Sequence, residues 1–312
     1  MKYRRVGKCG LKISEISLGS WLTFGRSVDE KNSEKIIHTA LDSGVNFIDI
    51  ADVYAKGRAE EVVGQCIKPT KRSDLVISSK VFWPMSENIN DRGLSRKHII
   101  ESIDKSLKRI GTDYLDIYFC HRPDPETEIE ETVRTMGDLV SRGKILYWGT
   151  SVWEAHQIEQ AVKAAQEYNT YPPIVEQPRY NLLDRHIEAE VMPVGRRHGM
   201  GFTVWSPLAE GVLTGKYNDG VPKGTRGADS EWMKSDLSPA NISGVKKLTT
   251  LAHSLGITMS QLALAWILRR EEISCAIVGA TKEEQLKENL AASDIRLSGE
   301  ALAEIELILA AQ

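Results

Sequence analysis

Four cysteines in 312 residues, Cys9, Cys66, Cys120 and Cys275, stand far apart and form no CxxC. That spacing speaks against a disulfide framework or a thiolate metal site and reads as reduced thiols in a cytoplasmic protein. No long uncharged apolar run occurs, so no transmembrane helix is expected. The opening Met-Lys-Tyr-Arg-Arg-Val-Gly lacks the apolar core of a signal peptide. Dense positive charge is missing too. The formal net charge is -3, which argues against a nucleic-acid or anionic-membrane surface. Finally, no G-x-G-x-x-G opens the first βα turn, so the common dinucleotide fingerprint is absent.

What the chain has is a rhythm. With 41% hydrophobic residues it can bury one large core. Runs of strand composition at 13–18, 45–50, 75–80, 114–120, 144–148, 174–177, 201–205 and 275–278 alternate with helix-period segments. Helices are predicted over 33–43, 58–67, 95–110, 129–141, 154–168 and 184–198, then 239–255, 258–270, 282–292 and 298–310. Residues 2–14 predict a small hairpin, and 215–240, rich in Gly, Pro and Ser, a long surface loop. No linker-like break interrupts the series, so 1–312 is expected to be one domain. The βα alternation also suits an open doubly wound sheet. Eight units without the glycine fingerprint favour a (β/α)8 TIM barrel with an N-terminal hairpin, a long loop after strand 7 and extra C-terminal helices.

A barrel keeps its working groups at the C-terminal ends of its strands. Those ends here are 19–21, 49–54, 80–83, 121–122, 151, 177, 205–211 and 279–281, and they offer Asp49, Tyr54, Lys80 and His121 from three successive strands. A free phenol, with a pKa of about 10, is a sluggish acid at neutral pH. An ammonium from Lys80 at hydrogen-bond range is expected to lower that pKa. Asp49 is expected to keep the lysine charged in a low-dielectric pocket. His121 then orients a substrate oxygen or passes a proton. Zinc fits poorly, because one His and one Asp lack the usual three ligands.

At these spacings Asp49, Tyr54, Lys80 and His121 resemble the catalytic tetrad of the aldo-keto reductase superfamily. The stretches His121-Arg122-Pro123-Asp124-Pro125, Tyr147-Trp148-Gly149-Thr150-Ser151, Trp205-Ser206-Pro207-Leu208 and Gly279-Ala280-Thr281 are most similar to one branch. It contains the voltage-gated potassium channel β subunits and their microbial and plant relatives. The resemblance runs from Tyr3 to the last helix. It implies carbonyl reduction, with the pro-R hydride of an extended NADPH reaching an aldehyde or ketone while Tyr54 protonates the oxygen. Animal channel subunits commonly carry Asn where this chain has His121, so the histidine points to a competent reductase. The rival from another class is a redox-sensing, β-subunit-like binding protein with slow catalysis. A barrel isomerase, a third reading, predicts no nicotinamide dependence.

For the cofactor, Ser206 and 208–211 follow a strand and offer backbone N–H groups to a pyrophosphate, with Gly211 permitting close approach. Lys216 and Arg226 lie in the long loop, where they are expected to cover the phosphates. Thr281 precedes a helix whose N-terminal dipole suits a 2′-phosphate. Gln285, Glu288 and Asn289 share one face of that helix and are assigned to the adenosine. The resemblance adds Trp205 stacked on the nicotinamide and Ser151 and Gln177 on its carboxamide. Ser20, Trp21, Asp49, Pro207 and Gly279 complete the expected cofactor contacts. Trp21, Trp83 and Trp153 are expected to wall an apolar substrate pocket with Tyr54 and His121, and Trp232 to lid it. Trp148 and Trp266 are assigned to packing. Relatives in the branch often form tetramers, so a homo-oligomer is expected.

Overall fold

The computed structural model describes residues 1–310 apart from 22, 26–27, 223–224 and 230–232, and of residues 226 and 229 the backbone alone. Strands β1 (Tyr3–Arg5) and β2 (Lys12–Ser14) form an antiparallel hairpin. The alternation follows: β3 (Ile16–Gly19), α1 (Glu30–Asp42), β4 (Phe47–Asp49), α2 (Arg58–Ile67), β5 (Val76–Val81), α3 (Arg96–Ile110) and β6 (Leu115–Cys120). It continues with α4 (Ile129–Ser141), β7 (Ile145–Thr150), α5 (Ala155–Glu167), β8 (Val175–Glu176), α6 (Val191–His198) and β9 (Gly201–Val204). The short α7 (Arg226–Asp229), α8 (Pro239–Ser254), α9 (Met259–Leu268), β10 (Ile273–Val278), α10 (Glu283–Ala291) and α11 (Gly299–Ala310) complete the described chain. β3 to β10 close into an eight-stranded parallel barrel in sequence order, β10 pairing with β3. The TIM-barrel expectation holds.

Period-two alternation decides what enters the barrel. Phe47, Val76, Ile117, Phe119 and Val175 pack together in one cluster with Val6 and Ile13 of the hairpin. Their neighbours Ile48, Ile77, Tyr118 and Cys120 pack instead in the larger cluster shared with the helices. Stepping by two along the inward face leads from Phe47 to Asp49, from Val76 to Ser78 and Lys80, and from Ile117 to Phe119 and His121. The strands therefore build an apolar floor and a polar mouth. The hairpin closes the floor: Lys8 N–H donates to the Gly199 carbonyl at 2.8 Å. Gly7, at φ +57°, comes so close that a Cβ there would meet the Gly199 carbonyl oxygen at 2.2 Å.

Local chemistry moves several predicted boundaries. The run 13–18 is split at Glu15, because Ile13 pairs with Arg4 in the hairpin while Ile16 pairs with Ala276 in the barrel. The buried Glu15 carboxylate anchors that junction, accepting from Arg4 Nε at 2.7 Å and Ser293 Oγ at 3.1 Å. α1 begins three residues before the predicted 33, since Asp29 caps it by accepting from Asn32 N–H at 2.9 Å. The helix predicted over 184–198 is only α6, preceded by a 3₁₀ turn at His186–Glu188. Upstream, Asn181 Oδ1 takes the N–H groups of Leu183 and Asp184, a local turn that competes with helix.

No single helix among the described residues is long and apolar enough to cross a membrane. α8 and α9 reach the required length only when joined across a 91° bend, and α9 is buried at every position but Gln261.

Candidate active site

The strand ends open into a cavity of about 840 Å³ at the barrel mouth. Beneath it lies Lys80, fully buried, its ammonium held in three directions. Nζ donates to Asp49 Oδ2 at 2.6 Å, to the Ile50 carbonyl at 2.8 Å and to the Tyr54 hydroxyl at 3.3 Å. The other carboxylate oxygen of Asp49 accepts from Ser78 Oγ at 2.7 Å and Gln177 Nε2 at 2.9 Å. Tyr54 opens a 3₁₀ turn, Tyr54–Gly57, in which Ala55 and Lys56 take left-handed φ values of 50° and 52°. Asp52 pins the approach to this turn, accepting from Val53 N–H at 2.6 Å and Ser102 Oγ at 2.9 Å. The Tyr54 and His121 rings meet edge-on, centroids 5.7 Å apart. All four predicted side chains are thus brought together.

Their electrostatics differ from expectation at one point. Burial pushes the Tyr54 phenol above its ordinary range, and the opposing pull of Lys80 only partly offsets it. The expected lowering by the ammonium does not prevail, because both groups are desolvated and Asp49 adds negative charge nearby. Burial also opposes the charge on Lys80, yet Asp49 and Tyr54 outweigh it and hold the ammonium above its usual range. His121 is pulled well below the histidine range, first by burial and then by Lys80 and Arg122. At neutral pH the site presents a protonated phenol, an ammonium and a neutral imidazole. Such a set can donate a proton to an oxygen and take the resulting charge beside a cation.

Around this floor, Ser20, Trp21, Trp83, Ser151, Gln177 and Trp205 line the cavity. Ser20 N–H and Oγ both reach the Asp49 carbonyl, at 3.1 and 3.2 Å. Ser151 Oγ donates to the Gln177 carbonyl at 2.8 Å. Trp205 Nε1 is buried with no hydrogen-bond partner among the described residues. Ser206 and Glu210 follow at φ +48° and +54° in a tight turn at whose end Gly211 reaches φ +103°. A Cβ on Gly211 would lie 2.6 Å from Lys216 Nζ, so this glycine and lysine share one side of the mouth. Pro207, Leu208 and Gly279 line the same cavity.

At its far end Thr281 lies just before α10, whose N-terminus is partly occupied from within. Gln285 Oε1 accepts from both Thr281 N–H and Oγ1 at 3.1 Å. Glu288 accepts from Thr258 Oγ1 at 2.8 Å, and Asn289 is buried beside it. All three helix residues face the cavity.

Two expectations fall outside the described residues, the lid at Trp232 and the side chain of Arg226, whose backbone opens α7. One is overturned. Trp153 packs in the helix-facing core rather than the cavity, its backbone N–H donated to buried Glu176 at 3.3 Å. Trp148 and Trp266 are packing residues, Trp266 stacking on Tyr180 at 5.3 Å. Unforeseen lining comes from Thr23, Phe24 and Ser260. Arg122 also lines the cavity, at the strand end where the barrel rule expects working groups. The buried carboxyls of Asp52 and Glu176, each pushed by burial up to about 7, gave no signal in the sequence.

The model of the Aldo/keto reductase family matches residues 15–310. A probable voltage-gated potassium channel subunit beta of Arabidopsis thaliana is 48% identical over 302 residues, covering 95% of this chain and 92% of the relative. A protein of the same description from Oryza sativa subsp. japonica is 44% identical over 318 residues, covering 99% and 97%. A putative voltage-gated potassium channel subunit beta of Schizosaccharomyces pombe is 42% identical over 319 residues, covering 98% and 93%.

Proposed function

The chain belongs to the aldo/keto reductase family, an oxidoreductase family, and on that premise we propose that it reduces aldehydes or ketones to alcohols with NADPH. The observation that carries the reading is the bridge from Asp49 through Lys80 Nζ to the Tyr54 hydroxyl, set beside a neutral His121 at the cavity floor. Tyr54 is the general acid, giving its proton to the carbonyl oxygen. Lys80 steadies the phenolate that remains, and Asp49 keeps Lys80 charged while burial works against it. His121 offers one ring N–H, as a neutral imidazole does, and holds the carbonyl oxygen in line with Tyr54.

The cavity's residues fit an extended nicotinamide dinucleotide. Trp205 supplies a flat face and an Nε1 with no partner among the described residues, and the turn at 206–211 supplies backbone N–H groups with room at Gly211. When bound, the nucleotide supplies the hydride that reaches the carbonyl carbon. Gln177 spends its Nε2 on Asp49, leaving Oε1 as an acceptor for the carboxamide. Lys216 and Thr281 are assigned to the 2′-phosphate, which NADH lacks, and that favours NADPH.

A second reading rests on the relatives' names. It is a cofactor-holding partner of a membrane channel with slow turnover. Steady-state NADPH oxidation against a panel of aldehydes separates the two. Turnover on the order of 1 per second or faster supports the reductase. Tightly retained nucleotide with almost no turnover supports the channel-partner reading.

A further inference from the structure

Beside Tyr54, His121 and Trp83 the cavity wall carries a cation that proton donation itself does not require. Arg122 follows His121 past the end of β6, is half-buried, and sets its guanidinium carbon 5.5 Å from the centre of the Trp83 ring. Trp83 lies 6.2 Å from the His121 ring, which is 5.7 Å from that of Tyr54. Guanidinium and phenol therefore face the same space. Among the described residues Arg122 donates one hydrogen bond, Nη1 to the His121 carbonyl at 2.5 Å. A guanidinium has five N–H donors, and among the described residues no carboxylate oxygen lies within 4.0 Å of this one.

The nearby carboxyl, Glu176, is a weak counter-charge. It is buried, occupied by Thr150 Oγ1 and the Trp153 N–H, and pushed by burial up to about 7. Burial likewise draws Arg122 below the ordinary arginine range. A half-buried cation without a paired anion is costly unless a ligand brings the anion.

We infer that the carbonyl substrate carries an anionic oxygen group, a carboxylate or a phosphate, and that Arg122 receives it while Trp83 covers one face of the guanidinium. The inference rests on the reductase reading. The planar fork of an arginine suits both oxyanions, and the two pairs below distinguish them.

Two matched pairs serve: 4-carboxybenzaldehyde with methyl 4-formylbenzoate, and glyceraldehyde 3-phosphate with glyceraldehyde. Each compound's dissociation constant is measured by tryptophan fluorescence on the NADP+ complex, and its kcat/KM by NADPH oxidation. The charged member of at least one pair is expected to bind about tenfold tighter or better, the scale of a charged hydrogen bond. That charged-to-neutral ratio should collapse to about one in Arg122→Met and return in part in Arg122→Lys. The ratio is internal to each variant, so partial loss of folded protein does not imitate the result. Preferential binding without turnover of any aldehyde would support the anion site and sink the reductase reading. Equal binding within both pairs in the wild type, or an unchanged ratio in Arg122→Met, overturns the inference.

Discussion

Gln177 donates its side-chain amide to Asp49 Oδ1 at 2.9 Å, tying the end of β8 to the end of β4 across the barrel mouth. With Ser78 on the same oxygen and Lys80 on the other, every direction in which the Asp49 carboxylate could swing is held. This anchoring matters because Lys80, wholly buried, keeps its charge through that carboxylate.

Asp49→Asn should therefore do two kinds of damage. It leaves a buried ammonium without its counter-charge, a loss of about 3–5 kcal/mol for a broken buried pair. It also removes the group that fixes Lys80 beneath Tyr54. Thermal unfolding should show a clearly lowered midpoint, with reductase turnover down by about 10² or more. A variant with wild-type midpoint and turnover would detach Asp49 from the site.

Asp52 gives a pH-dependent signature. Burial, with Glu60 adding to it, raises its carboxyl from 3.8 to about 7 in the folded state. Between those values the folded protein holds a proton that the unfolded chain releases. The contribution of Asp52 is thus fully present below the unfolded value and lost as pH rises through about 7. Asn cannot ionise and so escapes that loss. The melting temperature of Asp52→Asn relative to wild type should become more favourable between pH 5 and pH 8. A difference that stays constant with pH would show that Asp52 does not titrate there.

Lys216 sits over the ring of Tyr217, 4.8 Å from its centre, on the Gly211 side of the mouth. If it meets the 2′-phosphate, the group that NADH lacks, Lys216→Ala should weaken NADPH by about 10- to 100-fold, the range for a hydrogen bond to a charged group. NADH should weaken far less. Fluorescence titrations of the two nucleotides decide it, and equal losses would remove the 2′-phosphate contact.

How much could be read from the chain depended on the range of the forces involved. The inward positions of Asp49, Lys80 and His121 follow from strand alternation, so they were legible without coordinates. Tyr54 was legible only as a loop residue five beyond Asp49, since its aim depends on the left-handed Ala55 and Lys56. The direction of its pKa is not legible in the sequence, because desolvation by the whole barrel outweighs the one neighbouring ammonium. Glu15 broke a predicted strand through partners at Arg4 and Ser293, contacts that span the chain and leave no local pattern. Trp153 looked like a pocket residue by its place after a strand, but the Glu176 carboxylate draws its backbone into the core. Two residues with similar sequence settings, Trp83 and Trp153, thus end on opposite sides of the barrel wall.

The decisive measurement is turnover of Tyr54→Phe with an aldehyde and NADPH, paired with a nucleotide titration of the same sample. Removing the hydroxyl alone should cut turnover by about 10²- to 10⁴-fold and leave NADPH affinity within about twofold, well inside the 1.4 kcal/mol that marks a tenfold change. Turnover equal to wild type, with nucleotide bound, would mean that the proton comes from somewhere else.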